Sequence, residues 1–240
     1  MNGYRPAPAW IPAIGCASIL LAISLMCLMP ILLVDVMRDA MDRLNLSPGV
    51  AMLAVLGILI GGLVNIPVFR IERAEVQPVE MMGAYGLWGF TPRFQRMRPD
   101  TIVAVNLGGC VIPTAIAIWE LLSLSHVGGW PLTAVIFVAG INVAVCYFAA
   151  RPVSGIGIMM PGFVSPLGSV LATWLLLGGA EYEAYRPAVA FIAGVTGPLI
   201  GADLLHLKDI TRISVGMLSI GGAGTFDGII LSAVLATVLV

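Results

Sequence analysis

The chain has 240 residues, 59% of them hydrophobic and only 10% charged, with a net charge of −1. A water-facing domain needs roughly a quarter of its residues charged, so a soluble globular protein is excluded and a mean hydropathy of +1.02 points to a bilayer. The near-neutral charge excludes the basic footprint of a nucleic-acid-binding protein.

A helix needs about 20 apolar residues to cross the hydrocarbon core. Seven runs meet or approach that length, at 13–34, 50–69, 102–122, 132–150, 161–177, 187–207 and 215–240. The first follows Arg5 but is longer than a signal-peptide core and lacks a cleavage site, so it reads as a retained helix. The fifth is short and carries Pro161 and Pro166, which makes it a candidate half-helix. The expected fold is therefore all-α: one polytopic transmembrane bundle over residues 1–240, with about seven spans. Between the second and third runs, residues 70–100 form a polar loop holding Arg70, Arg73, Arg93, Arg96 and Arg98 with Trp88, Phe90 and Phe94. Arginines interleaved with aromatics suit the headgroup layer. Seven crossings put those five arginines, Arg5, Arg151, Lys208 and Arg212 on one side, against Arg38, Arg43 and Arg186 on the other. Positive charge stays inside, so the N-terminus is expected in the cytoplasm and the C-terminus outside. The expected location is a prokaryotic inner membrane.

Small residues recur at four-residue spacing in Gly57/Gly61, Gly197/Gly201 and Gly224/Gly228, where they let helix backbones approach closely. Cys16, Cys27, Cys110 and Cys146 all lie in apolar runs without metal-ligand spacing and read as small buried hydrophobes. Asn65, Asn106 and Asn142 read as interhelical hydrogen-bonding residues.

Ionisable groups at membrane depth are costly and usually functional. Glu120, near a helix end beside Trp119, reads as a residue whose carboxylate reaches the interface. Asp203 and Asp227 are different, because both sit among glycines on two successive apolar runs. A glycine-broken helix at depth must line a cavity or be buried in protein. The candidate binding set is therefore Gly201, Asp203, His206, Gly224, Thr225 and Asp227, with Asp203 and Asp227 as the candidate catalytic pair. Asp203 and His206 are three residues apart, which on an α-helix is one face. A lone Asp-x-x-His does not define a metal site, and no metal or other cofactor is expected. Beyond the lipid bilayer, the expected partners follow from size: 240 residues are few for a solitary carrier, which points to a homo-oligomer or a larger membrane complex.

The segments Gly201-Ala202-Asp203-Leu204-Leu205 and Ile220-Gly221-Gly222-Ala223-Gly224-Thr225-Phe226-Asp227-Gly228-Ile229 resemble an uncharacterised prokaryotic membrane family, domain of unknown function 1614. Asn106-Leu107-Gly108-Gly109 with Ile112-Pro113, and Gly155-Ile156-Gly157-Ile158 with Pro161, carry the same resemblance. It runs from the second apolar segment to the C-terminus and implies a membrane location without an activity. Phe226-Asp227 and Gly201-Ala202-Asp203 also loosely resemble the paired motifs of intramembrane aspartyl proteases, in reversed order and with Ala202 where that family has glycine. Three functional classes follow: a transporter or channel that binds a proton, cation or small solute at a helix break; a protease whose two carboxylates share a proton; and a non-catalytic assembly factor.

Overall fold

The computed structural model describes residues 24, 28, 31–71, 101–153, 157–212, 217–222 and 228–240. Helix α1 covers 31–42 and turns at residues 43–45 into α2, Pro48–Gly61. Proline suits the first turn of α2 because the missing N–H would have no intrahelical partner there. At 14 residues, about 21 Å long, α2 is too short to cross hydrocarbon.

The second apolar run was expected to continue as helix to residue 69, but it stops at Gly61-Gly62 and becomes strand β1, Asn65–Ile71. The third run likewise begins as strand β2, Thr101–Asn106. A π-helical turn, Leu107–Val111, then leads into α3, Ile112–Val127. Gly128, at φ 66°, reverses the chain into α4, Gly129–Ala149. A short hairpin of β3 (Arg151–Val153) and β4 (Gly157–Met159) precedes α5, Val164–Leu176. A 3₁₀ segment, Ala180–Tyr185, enters α6 (Arg186–Thr196), which widens into a π-helix over Gly197–Leu204 and a 3₁₀ turn over Leu207–Arg212. Strand β5, Met217–Ile220, opens the seventh run, and α7 occupies Gly228–Leu239.

The fold is mostly helical but not all-α. Strands β1, β2 and β5 form one sheet in that order, antiparallel between β1 and β2 and parallel between β2 and β5. Asn65 pairs with Asn106 and Ile71 with Thr101, so the 72–100 stretch leaves and re-enters at one end of the sheet. Pro67 sits on the edge strand, where its missing donor interrupts no inner ladder.

Among the described residues, three helical stretches are long and apolar enough to cross a membrane: Leu107–Val127, Gly129–Ala149 and Ala180–Asp209. The seven continuous spans expected from hydropathy are not all present, since α2, α5 and α7 are shorter apolar helices. Helix α6 is at the centre and packs on α3, α4, α5 and α7. Every residue from Ala188 to Val195 is buried, as suits a helix that is apolar all round. The outward residues are equally apolar, among them Leu53, Phe137, Phe148 and Leu175. Large apolar side chains on both the inner and outer faces are what a bilayer solvent demands.

Arg186 is buried at the start of α6, where its Nε donates to Leu177 O at 2.7 Å. Its Nη2 donates to Gly178 O and Gly179 O, and the guanidinium lies 4.1 Å from the Trp174 ring centroid. A cation there satisfies the carbonyls at and beyond the end of α5 and opposes the helix dipole.

Candidate functional site

Within the π-helix at the end of α6, Gly197 and Gly201 pack unusually close to α4. A Cβ on Gly201 would lie 2.3 Å from Val143 O, and one on Gly197 2.2 Å from Asn142 Nδ2. The expected close contact through Gly197 and Gly201 is thus present, and its partner is α4. Gly57 and Gly61 also pack closely, since their Cβ atoms would meet Ile112 Cδ1 at the start of α3 and Gly108 N of the π-helical turn, each at 2.9 Å. Gly224 lies outside the described residues, and a Cβ on Gly228 would meet no atom within 4 Å.

His206 follows the π-helix in a turn and is buried. Its Nδ1–H donates to Gly201 O at 3.1 Å and Ala202 O at 3.0 Å. Both partners are carbonyls, so the proton must sit on Nδ1, and in the neutral ring Nε2 carries the lone pair. The imidazole packs on Tyr147 of α4, with centroids 4.8 Å apart. Asp203, in the last turn of the π-helix, is half-buried and engaged in an interaction. Because the backbone between Asp203 and His206 is π-helix and turn, the one-face geometry expected from their α-helical spacing does not apply. Thr225 and Asp227 lie outside the described residues, as does the pairing of Asp203 with Asp227.

A polar cluster next to this seam escaped the sequence reading. Asn142 Nδ2 donates to Ser165 Oγ (3.0 Å), Ser169 Oγ (2.8 Å) and Ala193 O (2.8 Å), and Ser165 Oγ bonds Ser232 Oγ. The amide of α4 thus joins α5 and α6 directly, and α7 joins through Ser165. The expected hydrogen-bonding role of Asn142 holds, yet its partners were readable only in part: Ser165, Ser169 and Thr173 recur every four residues on α5 and mark a polar stripe. Along α4, Asn142, Cys146 and Tyr147 then present a run of groups from the bundle centre to His206.

Asn106 and Asn65 act at the sheet instead of between helices. Asn106, fully buried, donates through Nδ2 to Gly62 O and Asn65 Oδ1 and accepts from Gly109 N at 2.7 Å. Ser219 of β5 donates to the same Asn65 oxygen. The two asparagines together thus tie the end of α2, strand β5 and the π-helical turn before α3.

Glu120 corrects another expectation. It does not reach an interface: it is fully buried on α3, and its carboxylate accepts from Asn45 N (3.1 Å) and Asn45 Nδ2 (3.3 Å). Trp119 Nε1 donates to Asn45 O at 3.3 Å, so two neighbouring side chains hold the α1–α2 turn. The 75 residues between Asn45 and Glu120 kept this contact out of any local pattern.

A model of the family described as proteins of unknown function (DUF1614) matches residues 59–239. Neither a curated protein nor a solved structure matches the chain.

Proposed function

This chain belongs to the DUF1614 family, and we propose that it is a multi-pass prokaryotic inner-membrane carrier or channel-like protein, handling a proton, cation or small polar solute. The observation that carries this reading is the conversion of the third long apolar span from α- to π-helix at Gly197–Leu204, beside Asp203 and His206. π-Helical turns inside α-helices recur at functional sites, and interrupted membrane helices are where many carriers bind their solutes. The break lies against α4 along Gly197 and Gly201 and adjoins the Asn142 cluster. The polar groups at and beside the break thus include ionisable side chains, Asp203 and His206, and a neutral cluster around Asn142.

In reconstituted vesicles, Asp203→Asn is expected to reduce ion-linked flux at least tenfold while the purified variant keeps its elution profile and melting temperature. Wild-type flux in a correctly folded Asp203→Asn variant would remove the carboxylate from the mechanism. The same reading takes Asp227 as the partner of Asp203. Cysteines at 203 and 227, in a chain freed of Cys16, Cys27, Cys110 and Cys146, are expected to cross-link with a short bifunctional reagent. Failure of that cross-link would leave Asp203 to act with His206 alone.

A further inference from the structure

We propose that the groove between α2 and α3 holds one acyl chain of a bilayer phospholipid, with its headgroup at the α1–α2 turn. The site is separate from the helix break in α6 and does not depend on transport. The groove has a volume of about 650 Å³, within the range of small-ligand sites. Val50, Leu53 and Ala54 form one wall, and Ile112, Ala115 and Ile116 the other. Helix α3 belongs to one of the long apolar spans, so this cleft faces lipid.

Polarity is graded along the groove. Its polar lining residues, Asn45 and Ser47, belong to the turn at one end, and the half-exposed Trp119 indole stands beside them with Nε1 on Asn45 O. Asp39, Asp42 and Arg43 come just before that turn and are all exposed. Charged groups of this kind stay at the watery edge of a membrane protein, and tryptophan favours the headgroup layer. At the other end the two helices converge, since a Cβ on Gly57 would lie only 2.9 Å from Ile112 Cδ1. The cleft is therefore polar at the headgroup level, apolar along its length and closed at depth. That profile fits a molecule with a polar head and a narrow apolar tail.

The walls are also held in place. Glu120 accepts from Asn45 N and Asn45 Nδ2, and Trp119 donates to Asn45 O, so the turn is pinned to α3 and cannot swing across the gap. Ser47 adds a group for the head. It is the N-cap of α2, is exposed, and its side chain makes no capping bond, which leaves the hydroxyl to meet a headgroup oxygen. In a bilayer, phospholipid is the solvent itself, so a molecule of that class meets the cleft first.

The test uses the full chain in digitonin micelles, with an equimolar amount of a phosphatidylglycerol that carries a diazirine in one acyl chain. After illumination, mass spectrometry of the digested protein locates the label. Peptides covering residues 50–54 and 111–119 are expected to carry at least about fivefold more label than the outer face of α4 at Phe137 and Phe148, which is equally apolar and exposed. Ala115→Trp and Leu53→Trp fill the groove from opposite walls, both at exposed positions. Each should cut the groove label at least about fivefold and leave the α4 label and the melting temperature unchanged. Even labelling of the two faces in the wild type would overturn the proposal, because the groove would then be ordinary lipid-facing surface. So would a groove label that neither tryptophan reduces. A wild-type dimer without groove label, dissociated by both tryptophans, would assign the groove to a second copy of the chain instead.

Discussion

Alanine at position 108 is expected to destabilise the protein by at least about 3 kcal/mol, the upper end of overpacking costs. The added Cβ would lie 2.2 Å from Ile58 O, 2.3 Å from Gly62 N and 2.7 Å from Gly61 C. All three are backbone atoms, so no side chain can rotate out of the way. Relief requires α2 to move off the start of α3, and that movement also breaks the Asn106 bonds to Gly62 and Asn65. The check is a denaturant titration in mixed micelles, with Gly140→Ala as the reference. Gly140 lies in α4 with nothing within 4 Å of its Cβ position, so alanine there should stabilise by roughly 0.5–1 kcal/mol. Equal behaviour of the two variants would contradict the close packing of α2 on the π-helical turn.

Glu120→Leu carries the second large effect, an expected loss of about 2–4 kcal/mol. Leucine fits an apolar helix better than glutamate, so a carboxylate that merely reached the interface would give a neutral or stabilising change. Here the substitution strips the acceptor from Asn45 N and Asn45 Nδ2 together. Glu120→Gln, which retains one acceptor oxygen, should lose less. A double-mutant cycle between Asn45→Ala and Glu120→Leu should give a coupling of at least about 1 kcal/mol, as expected for residues in one hydrogen-bond network. Additive effects would mean that the carboxylate and the turn do not share their stability.

Hydropathy located α4, α5 and α6 because each is apolar over most of its length, and chain reversals at Gly128 and the 151–159 hairpin stood out as breaks. The same signal hid the sheet. A six-residue run such as Thr101-Ile-Val-Ala-Val-Asn106 is as apolar as a helix turn, and periodicity alone does not distinguish a short buried strand from a buried helix. The discriminating marks were the pairs Gly61-Gly62 and Gly108-Gly109, each beside a change from strand to helix or back, and Gly221-Gly222 at the end of β5. At the candidate site, Gly197 and Gly201 were legible as contact residues, and His206 stood out as an imidazole in an apolar run. Its partners were not, because the carbonyls it holds belong to a π-helix that no spacing rule anticipated. Ser165, Ser169 and Thr173 carried a readable stripe, but Ser232 and Ala193 join it only through the fold.

The sheet also fixes an order in time. Strand β2 is flanked by β1, which is already made when β2 emerges, and by β5, whose Met217–Ile220 pairs with residues 102–105. Helices α3 to α6 are therefore all synthesised while one edge of β2 still lacks its partner. An unpaired strand edge invites mispairing with other chains. Only when residue 220 has been made can that edge close along its full length. The nascent chain must therefore guard a half-finished sheet from residue 106, where β2 ends, to residue 217, where β5 begins.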